Sequence, residues 1–285
     1  MNTLSLERQA QIISALVEGN SVRSTSRMTG AHIVTILSLL NRVGSGCEVL
    51  LDRTMRSLNC NRIEVDEIWS YVRMKQKRAA QFPERRHEIG DFYTFVAIDS
   101  ETKLVPCYRV GKRSWSECDA FIRDLRSRLT SRVQLTSDAF QGYYGAIMRA
   151  FGNNIDYAQL QKVFASELNT GRGRYSPPIL VSTEKEDIIG APNPDLISTS
   201  YIERQNLTMR MCIRRLTRLT NGFSKKVENL KAAISLHFAH YNLVRIHQTL
   251  KITPAMAAGV MDRLWSVQDL IREALRDGDT ERTAA

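Results

Sequence analysis

The stretch RIEVDEIWSYV, Arg62 to Val72, decides the fold. Its β-branched and aromatic residues favour a pleated, half-buried strand, yet it carries two adjacent acids, Asp66 and Glu67. Side chains alternate across a strand, so Ile63, Val65, Glu67, Trp69 and Tyr71 should share one face and Glu64, Asp66, Ile68, Ser70 and Val72 the other. Asp66 and Glu67 are therefore expected to point apart, so that one strand cannot aim both at a single site.

Working outward, FYTFVAIDS (92–100) and KLVPCYRV (103–110) are two further strand candidates, and their short polar links suggest an antiparallel meander. An amphipathic helix over 114–129 follows, with Phe121, Ile122, Leu125 and Leu129 on one side. Next come a strand RVQLTS (132–137) stopping at Asp138, a helix over 140–152 and a short strand near 155–164. Three strands, helix, strand, helix, strand is an α/β order. Residues 166–198 are dense in Gly and Pro, which predicts a long loop insertion with no regular element for most of its length. A basic helix is expected over 199–219, striped by Ile202, Met209, Ile213 and Leu216. Ser224 is placed to cap a further amphipathic helix carrying Val227, Leu230, Ile234, Phe238 and Tyr241. The tail from Asp277 reads as disordered.

Before the strand region, residues 4–44 read as three short helices separated by Gly19-Asn20 and Gly30. A short helix, a tight turn and a helix over 31–43 is the layout of a helix-turn-helix, whose last helix would present His32, Thr35 and Ser38 to the major groove. The competing reading is a small helical packing or dimerisation unit. The expected organisation is thus a helix-turn-helix domain at 1–48, a catalytic domain at 60–220 and a C-terminal helical region at 221–285.

The 285 residues carry 40 Lys plus Arg against 30 Asp plus Glu, a net charge of +10 that suits a polyanion. The cysteines, Cys47, Cys60, Cys107, Cys118 and Cys212, are odd in number and lack a CxxC pair. That excludes a disulfide framework and a zinc ribbon. With no apolar run judged long enough for a bilayer or a secretory signal, a soluble cytoplasmic protein is expected, associated with the nucleoid in a bacterium.

Three acids stand where chemistry is done. Asp138 ends the fourth strand, where α/β sheets expose ligand-binding groups, and Glu203 opens a helix. If the first and fourth strands are neighbours and the late helix packs across their edge, Asp66, Asp138 and Glu203 converge. Such a cluster repels itself unless cations neutralise it. All-oxygen ligands suit Mg²⁺ or Mn²⁺, and two ions about 3.5–4 Å apart would clamp an in-line phosphoryl displacement. Taken singly, Asp138 could equally cap the helix after it and Glu203 could answer the helix dipole.

The contexts VDEIW (65–69), TSDAFQGY (136–143) and STSYIERQNLTMR (198–210) resemble those of transposases of the insertion-sequence-one type, a branch of the DDE superfamily. The likeness continues through RRLTRLTNGFSKKVENLKAAI (214–234) and HYNLVRIHQTLKITPAMAAGV (240–260), covering roughly residues 60–265. It implies a ribonuclease H-like mixed sheet with flanking helices, an all-α helix-turn-helix before it and helices after it. It also implies metal-ligating catalytic acids at Asp66, Asp138 and Glu203, with Glu67 not among them. The implied reaction cleaves transposon ends and joins the 3′-hydroxyl to target DNA. The implied partners are Mg²⁺ or Mn²⁺ as a pair of ions, the terminal inverted repeats, target DNA and at least one further copy of the chain, with no membrane and no small-molecule cofactor. Asn206 and Arg210 share the helical face of Glu203 and match polar and basic positions of these transposases. Some members carry an N-terminal zinc finger, for which Cys47 and Cys60 here lack companions. End recognition then falls to the helix-turn-helix.

From Thr199 to Lys231 eight cations, among them Arg204, Arg210, Arg214, Arg215 and Arg218, face two acids. This window is either a solvated face or a track for DNA phosphates, which arginine suits. His237, His240 and His247 lack an acid or cysteine at ligand spacing and are expected to pack, and Trp69, Trp115 and Trp265 are expected to anchor the core or an interface. A DNA-binding regulator that no longer cuts, or a nuclease that cuts without joining, would share much of this sequence.

Overall fold

The computed structural model describes residues 4–165 and 179–283. Three helices open it: α1 (Leu6–Val17), α2 (Val22–Thr29) and α3 (Ile33–Thr54). The hydroxyls of Ser5 and Ser21 accept backbone N–H groups of Arg8 and Ser24, which satisfies donors that a helix start leaves open. Gly30, at φ +68°, ends α2 in the left-handed conformation and lets the chain turn directly into α3.

The rest is built on a six-stranded mixed sheet with flanking helices, made of β1 (Arg62–Val72), β2 (Gly90–Asp99), β3 (Tyr108–Gly111), β4 (Gln134–Ser137), β5 (Asp156–Ala165) and β6 (Ile179–Ile189) in the order β3-β2-β1-β4-β5-β6. The first three strands form an antiparallel meander, β4 lies parallel to β1 and to β5, and β6 closes the far edge antiparallel to β5. The expected neighbourhood of the first and fourth strands is therefore present. Between β1 and β2 the link is not short, since it holds the turn α4 (Gln76–Ala79). Helices α5 (Trp115–Arg128), α6 (Gln141–Phe151) and α7 (Ser200–Cys212) follow β3, β4 and β6, and α8 (Val227–Leu243), α9 (Pro254–Ala257) and α10 (Val267–Thr283) complete the chain. One buried cluster runs from Ile12 and Leu40 through Val65, Phe95 and Phe121 to Phe238 and Leu270, so the helices at both ends share the core of the sheet.

Several expectations are corrected. The helix placed at 31–43 runs to Thr54, because Gly44 and Gly46 are not a stop signal. A β-carbon at Gly44 would collide with the backbone of Ala232 in α8, and one at Gly46 with that of Ala274 in α10. The glycines are where two helices cross α3 at close range. Gly46→Val is expected to cost about 1–3 kcal/mol by overpacking, read as a lowered denaturation midpoint with unchanged slope. By length and composition α3 is also apolar enough to cross a bilayer, contrary to the sequence expectation, although Ile36, Leu39, Leu40, Val43, Leu50 and Leu51 lie in the protein core.

Within 166–198 the eleven-residue strand β6 overturns the expected loop, while 166–178 lie outside the described residues. Its sequence ILVSTEKEDII contains neither Gly nor Pro; those residues bound the strand instead of filling it. The basic helix ends at Cys212, Ile213 is extended, and Arg214–Leu216 form a single 3₁₀ turn. Lys226, not Ser224, precedes α8; Ser224 is buried and its carbonyl accepts the N–H of Arg73. The C-terminal stretch expected to be disordered continues α10 to Thr283. Trp115 is 59% exposed and so anchors no core, whereas His237 and His240 are buried as expected.

Candidate active site and metal centre

The β1–β4 ladder ends at the pair Glu64 and Thr136, and β4 itself stops at Ser137. Beyond that point one flank of β1 has no neighbouring strand, and the chain leaving β4 places Asp138 beside Asp66 and Glu67. Ligand oxygens of Asp66, Glu67 and Asp138 all lie within 4.8 Å of one another. Glu67 thus joins the cluster, which corrects the expectation that one strand cannot direct both acids to one place. Alternation separates side chains across a covered strand; at an uncovered flank, acids from either face can reach the same gap.

Each carboxylate is held. Asp66 Oδ1 accepts the N–H of Glu67 at 2.7 Å, and its Oδ2 accepts Asn206 Nδ2 at 2.8 Å from α7. Asp138 Oδ1 accepts the N–H of Phe140 at 3.0 Å, a turn that leads into α6. Glu67 Oε1 accepts Arg113 Nε at 2.6 Å, and its Oε2 accepts the hydroxyl of Tyr143 at 3.0 Å. Arg113 in turn lies over the Phe140 ring, 4.3 Å from its centroid. Glu203 is exposed, pairs with Lys162 of β5 and accepts the Thr199 hydroxyl at 2.7 Å.

A cavity of about 690 Å³ is lined by Asp66, Asp138 and Glu203 together with Arg113, Trp115 and Lys162. Asp66, Asp138 and Glu203 therefore share one pocket, although Glu203 is outside the tight trio. Glu203 is aimed there by an unexpected residue. Thr199 makes no side-chain cap for α7; instead Glu64, fully buried in β1, accepts the N–H groups of Tyr201 at 2.8 Å and Ile202 at 3.0 Å. Ser100 donates to its other oxygen. The buried carboxylate so fastens the start of α7 to β1, two residues from Asp66.

Burial raises the pKa of Asp66 to about 7, and Asp138, Glu67 and Glu203 add to the rise. Burial and then Asp138 raise that of Glu67, while Arg113 and Tyr143 pull it down. The folded protein binds the Asp66 proton more tightly than the unfolded chain, so the contribution is fully present below the ordinary value of 3.8 and is lost as pH rises to about 7. The loss is bounded by about 4 kcal/mol. Asp66→Asn should remove that part of the decline and melt above the parent at pH 8. Mn²⁺ should raise the melting temperature of the parent and leave the variant unmoved; thermal scans from pH 4 to 8 check both.

The remaining candidates are placed as follows. Arg210 is half-buried, donates to the Leu216 carbonyl and feels the charge of Asp66. Arg204, Arg214 and Arg218 are exposed, whereas Arg215 is half-buried and donates to Ser224 Oγ at 3.3 Å. His32, Thr35 and Ser38 are exposed along one side of the first turns of α3, and His32 Nδ1 accepts the N–H of Val34. Trp115, expected from sequence as a core or interface anchor with base stacking as the alternative, lines the site; Arg113, Lys162, Tyr143 and Glu64 belong to it too but were not singled out from sequence. Only Glu64 carried a signal, a carboxylate on the face of Asp66.

No protein-family model and no curated protein matches the chain. Among solved structures it is similar to one described as a cryo-EM structure of the piggyBac transposase synaptic complex with hairpin DNA, at 10% identity and a TM-score of 0.38. That match covers 100% of this chain and 74% of the other.

Proposed function

We propose that the protein is a DNA transposase of the insertion-sequence-one type, with a ribonuclease H-like catalytic domain that cuts transposon ends and joins the freed 3′-hydroxyl to target DNA. The observation that carries this reading is the meeting of Asp66, Asp138 and Glu203, from a central strand, a strand end and a late helix, in one open cavity. The mixed sheet β3-β2-β1-β4-β5-β6 with its flanking helices is consistent with the ribonuclease H-like architecture that the sequence resemblance implies.

The donor set is all oxygen, and burial together with repulsion from the neighbouring acids already disfavours charge on Asp66, which fits hard divalent cations, a pair of Mg²⁺ or Mn²⁺. Asp66 and Asp138, with Glu203 opposite, would hold them; bound there, they would activate water or a 3′-hydroxyl and stabilise charge on the phosphoryl oxygens. The chain's own groups do the rest. Asn206 keeps Asp66 turned into the cavity, Arg113 and Lys162 bind the scissile strand's phosphates at its mouth, and exposed Trp115 supplies a stacking face for a base. The arginines of α7 and the turn after it, Arg204, Arg210, Arg214 and Arg218, continue as a backbone track. The α2–α3 unit reads the ends as a helix-turn-helix through His32, Thr35 and Ser38. Pairing of two ends requires at least two copies of the chain.

The test is incubation of the protein with duplexes carrying the DNA that flanks its gene, with Mg²⁺, followed by resolution of cut and joined strands. Cutting plus joining supports the proposal. Cutting without joining indicates a nuclease, and specific binding with no cut strand indicates a regulator.

A further inference from the structure

On a different part of the molecule lies a second cavity of about 570 Å³, walled by the α1–α2 turn, α3, α8 and the chain from Cys212 to Lys225. Its size is that of a small-molecule site. No carboxylate is among the residues lining it, but four cations are, Arg23, Arg214, Arg215 and Lys225. Among the described residues, Arg23, Arg214 and Lys225 make no ion pair, although ion pairs are frequent elsewhere on this surface.

The floor is apolar, formed by Leu16, Leu37, Leu40 and Leu236, with the ring of Phe223 at its side. Three side-chain amides, those of Asn20, Asn221 and Asn229, also line it and donate to no described group. His237 lines it from α8; the side chain is 3% exposed and its Nε2 has no hydrogen-bond partner. A buried polar atom without a partner is costly, so an imidazole nitrogen left so beside a cavity points to a ligand that completes it.

We infer that this cavity binds a nucleoside phosphate: the cations take the phosphate, the leucines and Phe223 take the base, and the amides and His237 meet its polar edge. Free anions would leave the apolar floor unused, and purely apolar ligands would leave the cations and the imidazole unanswered. The ligand is either a free nucleotide or an unpaired nucleotide of bound DNA. The second source rests on the proposed function, because the walls from Cys212 to Lys225 continue directly from the helix that carries Glu203.

The full chain is titrated calorimetrically, without divalent ions, with deoxyadenosine monophosphate, inorganic phosphate and deoxyadenosine. The monophosphate is expected to bind one per chain, with each fragment at least about tenfold weaker. Arg214→Ala and Lys225→Ala, both at exposed positions, should each weaken it about tenfold. Asn229→Trp should fill the cavity and abolish binding, with the melting temperature of each variant reporting that it folds. Failure to saturate by about 10 mM, or binding unaltered in all three variants, overturns the inference.

A duplex bearing one unpaired 2-aminopurine nucleotide separates the sources. A fluorescence change present in the parent and lost in Asn229→Trp assigns the site to DNA, and monophosphate binding without that change assigns it to free nucleotide. Asp138→Ala must bind the monophosphate as the parent does. Binding that survives in a protein unable to cut any DNA keeps this site and discards the transposase; cutting without binding does the reverse.

Discussion

Asp138→Ala is expected to lose Mg²⁺-dependent strand cleavage by at least about 10³-fold, equivalent to about 4 kcal/mol of transition-state stabilisation. Asp138 is the one acid of the trio that lies outside β1, directly after the end of β4, and its carboxylate is within 4.8 Å of those of Asp66 and Glu67. Without it a cation would lose the contact that joins the β1 carboxylates to the mouth of the cavity. The fold should be spared, since the Asp138 side chain accepts a hydrogen bond only from the N–H of Phe140 among the described residues, worth about 0.5–2 kcal/mol as a cap. Circular dichroism and a melting curve separate the two effects. A variant that folds and cuts as well as the parent removes Asp138 from the chemistry.

Glu64→Ala is expected to lower stability by about 2–4 kcal/mol, because the N–H groups of Tyr201 and Ile202 would be left buried without an acceptor. Cleavage should fall as well, although Glu64 lines no part of the acidic cavity. Its loss frees the start of α7, and with it Glu203 and the Asn206 contact to Asp66. Glu64→Gln keeps an acceptor oxygen. Burial already raises the pKa of Glu64, so the neutral side chain should restore most of both losses. Chemical denaturation and cleavage rates of the two variants check this. A Gln variant as damaged as the Ala variant would show that the charge, and not the helix anchor, is what matters.

Asp66, Asp138 and Glu203 were legible as candidates because they sit at positions that ordinary patterning exposes: a strand of alternating residues, a strand end before a helix, and a helix start. The burial of Ile202, Met209, Ile213 and Leu216 likewise matches their stripe. What was not legible depends on neighbours. The role of Glu67 comes from β4 ending early, which no property of β1 reveals. Glu64 resembles any inward acid of a strand until α7 is seen to start above it. The length of α3 was hidden because a glycine that breaks a helix and one that admits a crossing helix look alike in sequence. β6 was hidden because the glycines and prolines around it were counted with it.

The most direct measurement is anomalous diffraction from crystals of the protein soaked in Mn²⁺. The account predicts an anomalous peak bound by carboxylate oxygens of Asp66 and Asp138, within the cavity that Glu203 faces, and no such peak in Asp138→Ala crystals. Peaks only at other carboxylates, or none in the cavity at saturating Mn²⁺, would contradict it.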